Sequence, residues 1–190
     1  RDKFGKEQRV FWLPDTFGYS AALPQIMQGF GVTGFLTTKL AWNDTNRFPY
    51  ETFVWKGIDG SSVVAHFFVI DTWPDPAGLL ERIEGIGYKD HIARKQAFPE
   101  RLVAFGYGDG GGGPQFEMIE TARRLQDLEG CPKVEYTSAD AFVQKLEGQE
   151  LYVHGYYAAF LSAGYSCRRQ GLFGGRAVGA AVRPLFQLLR

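Results

Sequence analysis

The chain reads as an α/β protein built on a parallel-stranded sheet with flanking helices, and three observations carry that reading. Short apolar runs alternate with segments of helical periodicity over most of the sequence. Two of these runs end at a lone charged residue, Asp15 and Lys39, in the position just past a strand where α/β proteins gather their reactive groups. A third run, residues 101–106, is apolar almost throughout, as expected of a strand covered on both faces.

Taken in order, residues 9–13 form the first strand, Pro14 closes it, and Asp15 stands alone on the turn between aromatic residues. Residues 20–30 form the following helix. Pro24 belongs in its first turn, and Gly29 and Gly31 supply its stop. Leu23, Ile26, Met27 and Phe30 recur at three- and four-residue spacing and are predicted to face the core. Residues 34–38 are a second strand, ending at Lys39 much as the first ends at Asp15, and residues 43–49 are a polar loop.

Residues 52–57 and 62–68 are two strands around Asp59-Gly60, a strong hairpin signal. His66 lies on the second of them with no other histidine at metal-ligand spacing, so it reads as a hydrogen-bonded core residue. Asp71 follows that strand's end. Trp73-Pro74-Asp75-Pro76 then breaks the backbone before a short helix at 77–84, and residues 89–95, with His91, form a charged surface helix. The apolar strand 101–106 runs directly into the glycine loop that carries Asp109. A helix at 115–128 has Met118, Ile119, Ala122 and Leu125 as its apolar stripe; a strand at 133–137 follows, and Ser138 caps a helix at 139–146.

Composition narrows the classes. With 190 residues, 45% hydrophobic and 15% aromatic, the chain can bury a core, which excludes disorder and predicts a soluble globular protein. No apolar run is long enough to span a membrane, and the charged first residues lack the apolar stretch of a signal peptide. Without an initiating methionine, the chain is expected to be the interior of a longer one. A net charge of zero offers no footprint for nucleic acid. Cys131 and Cys167 fit neither a metal motif nor a disulfide framework, which favours a reducing compartment. From Leu151 onward there are five arginines and no acid, leaving 16 basic against 21 acidic residues before it. The expected organisation is therefore a domain over residues 1–152 and a divergent, poorly ordered Gly/Arg-rich tail over 153–190.

From the residues alone Asp15 has two readings, a reactive carboxylate or a helix-start aspartate satisfying backbone N–H groups. The segment Phe11-Trp12-Leu13-Pro14-Asp15-Thr16-Phe17-Gly18-Tyr19-Ser20, followed by Phe35-Leu36-Thr37-Thr38-Lys39-Leu40-Ala41-Trp42-Asn43 and Gly106-Tyr107-Gly108-Asp109-Gly110-Gly111-Gly112-Gly113-Pro114, resembles the catalytic domain of class II α-mannosidases, glycoside hydrolase family 38. The similarity runs from Arg1 to Tyr152 and is nearest the cytosolic and vacuolar branch. It implies a place within a (β/α)7-barrel-like domain, retaining hydrolysis of α-linked mannose in oligosaccharides, and a zinc ion. Matched residue by residue, Asp15 takes the place of the nucleophile and of one metal ligand. Phe17 matches the aromatic under the sugar, Lys39 a basic residue of the pocket, and Asp71 an acid that holds sugar hydroxyls.

Retaining glycosidases also need a second carboxyl group as acid and base, and Asp109, on a loop whose glycines admit close approach, is the candidate. The family's His-x-Asp and His-Asp pairs, which would complete the metal site, are not in this sequence. The chain alone is therefore expected to be metal-free and inactive. The resemblance implies a cytoplasmic or vacuolar protein and leaves a homo-oligomeric parent open. Two other readings stand beside it: a phosphate-binding module using Gly110–Gly113, which lacks the lysine and hydroxyl residue of a P-loop, and a non-catalytic degenerate product.

Overall fold

The computed structural model describes residues 3–39, 50–71, 73–84, 100–107, 112–149, 153–155 and 185–189. The expected loop at 43–49, the surface helix at 89–95, Asp109, Gly110 and Gly111 lie outside the described residues. The chain divides into two compact units, each built on one sheet.

In the first unit, β1 (Val10–Leu13) leads through α1 (Leu23–Gly29) to β2 (Gly34–Thr37), which lies parallel to β1. β3 (Thr52–Lys56) and β4 (Ser62–Phe67) form the expected hairpin, and β4 also pairs with β2 in parallel. With β8 (Val153–Gly155) beside β3, the sheet order is β1-β2-β4-β3-β8. The carboxyl ends of β1, β2 and β4 therefore share one edge. The core of this sheet packs around Phe35, which meets Tyr19 edge-on at 5.0 Å and Trp55 at 5.2 Å, with Met27, Phe53 and Phe67 also buried.

Helix α1 is shorter than residues 20–30. Pro24 sits in its first turn, and the chain leaves the helix through Gly31 at φ +73°, where Val32 N–H donates to Met27 O at 2.9 Å. The predicted apolar stripe is only half right: Met27 is buried and Leu23 partly so, whereas Ile26 is exposed and Phe30 is 78% exposed. Such a short helix presents a narrow inward face, and its last apolar residue falls past its end. Ahead of β8 in the chain, α4 (Ala139–Glu147) begins at Ser138, whose Oγ accepts the Ala141 N–H at 3.1 Å. Val143 of this helix lies against Gly34 so closely that an added Cβ there would sit 2.4 Å from it.

In the second unit, β5 (Val69–Asp71) lies parallel to β6 (Arg101–Phe105), and β9 (Leu185–Leu189) runs antiparallel between β6 and β7 (Val134–Thr137). Asp75 starts α2 (Pro76–Glu84) by accepting the Gly78 N–H at 2.6 Å. α3 (Phe116–Arg124) buries Met118 and Ala122 as predicted, with Leu125 buried just beyond it, but stops short of residue 128 because the chain turns at 125–127. The α/β class stands. The parallel-stranded sheet is met only in part: β1, β2 and β4 pair in parallel, as do β5 and β6, but both sheets are mixed, because the expected β3–β4 hairpin and the inserted β9 run against their neighbours.

Candidate active site

The parallel register creates the site. Leu13 is paired with Thr37, so two residues further along each strand Asp15 and Lys39 come opposite one another. Their side chains meet, with Lys39 Nζ 2.8 Å from Asp15 Oδ1. Lys39 is mostly enclosed, its side chain 16% exposed, whereas that of Asp15 is 70% exposed. A buried stem thus delivers an ammonium to a carboxylate that faces solvent. The same ammonium lies 5.2 Å from the centre of the Phe17 ring, within the range where ring and cation attract. Asp15, Phe17 and Lys39, named separately from the sequence, form one cluster.

Beneath the cluster lies a set of hydroxyl contacts that sequence reasoning missed. Gly18, at φ +81°, turns the chain so that Tyr19 enters the core. The Tyr19 hydroxyl makes a short hydrogen bond with Thr37 Oγ1 and reaches Leu13 O at 3.5 Å. Lys39 N–H donates to Thr37 Oγ1 at 3.3 Å, and the Thr38 hydroxyl donates to Pro14 O. Burial, helped by the nearby charge of Asp15 and opposed by the Thr37 hydrogen bond, pushes the Tyr19 phenol up to about 12. Nothing local in the sequence shows that the Thr37 hydroxyl meets a tyrosine eighteen positions away or that the Thr38 hydroxyl reaches Pro14.

The remaining sequence candidates are distributed differently. Asp71 is the last residue of β5, paired in register with Phe105 at the end of β6, so it stands at a strand's carboxyl end in the second sheet. Asp109 lies outside the described residues. The two flanks of its loop are fastened together: Tyr107 N–H donates to Gly113 O at 3.1 Å, and Gly106, at φ +133°, sits against Gly113 and Pro114 with no room for a Cβ. Tyr107's amide is thereby used within the loop.

His66 is fully buried, with Nδ1 2.8 Å from Thr52 Oγ1, a core histidine as expected. Among the described residues no three His, Cys, Asp or Glu side chains come together to hold a metal. Zinc needs three or four such donors, so the described residues do not fit a zinc centre. No helix among them is long and apolar enough to cross a membrane.

Comparison with known proteins agrees with the motifs. Residues 1–162 match the Glycosyl hydrolases family 38 N-terminal domain. Alpha-mannosidase G of Dictyostelium discoideum is 45% identical over 145 residues, covering 76% of this chain and 13% of that protein. Alpha-mannosidase 2C1 of Homo sapiens is 43% identical over 145 residues, covering 76% of this chain and 14% of its own length. Alpha-mannosidase of Saccharomyces cerevisiae is 40% identical over 129 residues, 66% of this chain and 11% of the yeast protein. The chain spans only a small part of the length of the curated relatives it matches.

Proposed function

The chain belongs to glycosyl hydrolase family 38, and from that membership we propose that it forms part of the catalytic domain of a retaining α-mannosidase, with Asp15 as nucleophile. The observation that carries this is the solvent-facing Asp15 carboxylate held at a parallel sheet's carboxyl edge beside Lys39. An ion pair with one exposed member contributes at most about 1 kcal/mol. Asp15 can therefore leave Lys39 at little cost, and Lys39 can turn its N–H donors to a sugar hydroxyl.

On this reading a carboxylate oxygen of Asp15 attacks the anomeric carbon. A second carboxylic acid, for which Asp109 is the candidate, gives its proton to the departing glycosidic oxygen. Water then attacks the glycosyl ester and yields a proton to that second carboxylate, which releases mannose with its configuration retained and restores Asp15. Phe17 lies under the sugar, and Lys39 and Asp71 hold its hydroxyls. The strands belong to a (β/α)7-barrel-like domain of a cytoplasmic or vacuolar enzyme acting on α-mannoside oligosaccharides. Zinc-dependent activity belongs to a protein that supplies metal ligands beyond Asp15 from outside these residues; the chain alone is metal-free and inactive.

Methyl α-mannoside titrated into the chain and followed by NMR is expected to move the Phe17 and Lys39 amides, while nitrophenyl α-mannoside is not turned over. Shifts confined to Gly112 and Gly113 on adding phosphate, with none from the mannoside, would overturn the carbohydrate reading in favour of an anion site. Turnover with zinc or cobalt that Asp15→Asn abolishes would overturn the inactivity of the isolated chain.

A further inference from the structure

We propose that Tyr19 is a positioning residue that holds Asp15 and Lys39 in their working geometry by tying the turn after β1 to the end of β2. The proposal rests on the reading of Asp15 and Lys39 given above and adds the element that sets their relation. Neither residue is fixed by its own strand, since each lies two positions past the last paired residues, Leu13 and Thr37. The register brings the two segments opposite one another, but the paired ladder ends at Leu13 and Thr37 and does not itself hold the residues beyond it.

The hydroxyl contacts take its place. Each hydroxyl has one hydrogen to give and can accept from another donor, and the three contacts that run through Thr37 and Tyr19 have one self-consistent direction. Lys39 N–H donates to Thr37 Oγ1, the Thr37 hydroxyl donates to Tyr19 Oη, and the Tyr19 hydroxyl donates to Leu13 O. The relay starts on the backbone of Lys39 and ends on the backbone two residues before Asp15. Thr38 to Pro14 makes a second tie between the same two segments.

Tyr19 suits this role because its ring is anchored independently. It is 5% exposed and packs edge-on against Phe35, so the hydroxyl's place is set by the core and not by the turn it supports. Removing only that hydroxyl should leave the core standing and loosen the pair above it.

The test is NMR of the chain and of Tyr19→Phe, Thr37→Val and Thr37→Ser. The readouts are the nuclear Overhauser contact between Lys39 side-chain protons and the Phe17 ring and the exchange rate of the Lys39 amide. In Tyr19→Phe and Thr37→Val the contact should weaken, and in Thr37→Val the amide should exchange about fivefold to tenfold faster, as expected for one lost hydrogen bond. Thr37→Ser, which keeps the hydroxyl, should restore both, and the Phe35 and Trp55 ring signals should stay in place throughout.

A full-strength Lys39–Phe17 contact in Tyr19→Phe, or parallel displacement of the Phe35 and Trp55 signals, would overturn the proposal. Titration with methyl α-mannoside separates this from the functional reading. If the variants loosen the pair but the wild-type chain shows no response to the sugar at Phe17 or Lys39, the positioning role holds and the mannosidase reading of the site fails.

Discussion

Replacing Lys39 by methionine separates a binding role from a structural one. Methionine retains an unbranched apolar stem, so the enclosed part of the side chain stays filled while the ammonium is lost. The 2.8 Å contact with Asp15 and the approach to the Phe17 ring at 5.2 Å are both lost. Because the Asp15 side chain is 70% exposed, the first contributes at most about 1 kcal/mol. The second contributes about 0.5–1 kcal/mol, part of which the methionine sulfur regains against the ring.

The net loss is therefore about 1 kcal/mol, a fall in Tm of about 2–4 °C for a chain of this size. A hydrogen bond from a charged donor to a sugar hydroxyl is worth about 1.5–3 kcal/mol, so affinity for an α-mannoside should fall by about tenfold or more. Thermal unfolding by circular dichroism gives the first quantity, and NMR titration with methyl α-mannoside gives the second. A Tm loss above about 10 °C would show Lys39 to be a structural keystone and the exposed-pair argument to be wrong. An unchanged mannoside affinity would remove Lys39 from the binding site.

Two further outcomes follow from the packing. Gly34→Ala places a methyl group 2.4 Å from Val143 Cγ1 and should cost about 1–3 kcal/mol by overpacking; a urea titration with an unchanged midpoint would show that α4 can back away from β2 freely. Tyr19 is protonated in the fold up to about 12, against an ordinary value of 10.0. A raised pKa stabilises the fold fully below the unfolded value and is lost as pH rises through the folded one. Stability measured between about pH 10 and 12 should thus fall by about 2–3 kcal/mol more in the wild-type chain than in Tyr19→Phe, and equal alkaline slopes in the two would refute the burial of this phenol.

Much of the local structure was legible in the sequence because its causes are local. Pro14 and the apolar run before it mark the end of β1, Asp59-Gly60 makes the hairpin, Ser138 caps α4, and the apolar runs placed Asp15 and Lys39 just past the ends of two strands. The motif blocks identified the family from residue identity alone. Helix α1 shows the limit of such signals. Its three- and four-residue spacing placed Ile26 and Phe30 on a buried face, yet both are exposed, because periodicity says which residues share a side and not how wide a neighbouring surface covers it.

What the sequence by itself determined is the type of most elements, the family, and which residues stand just past the strands. The tertiary structure decided which of them meet. Asp15 and Lys39 are brought together by the Leu13–Thr37 pairing, Tyr19 reaches Thr37 across the same seam, and Leu185–Leu189 runs antiparallel between β6 and β7. The physical reason is common to all three. Strand pairing and hydroxyl contacts join residues distant along the chain, and their register follows from burying both partners at once, a condition that no local pattern encodes.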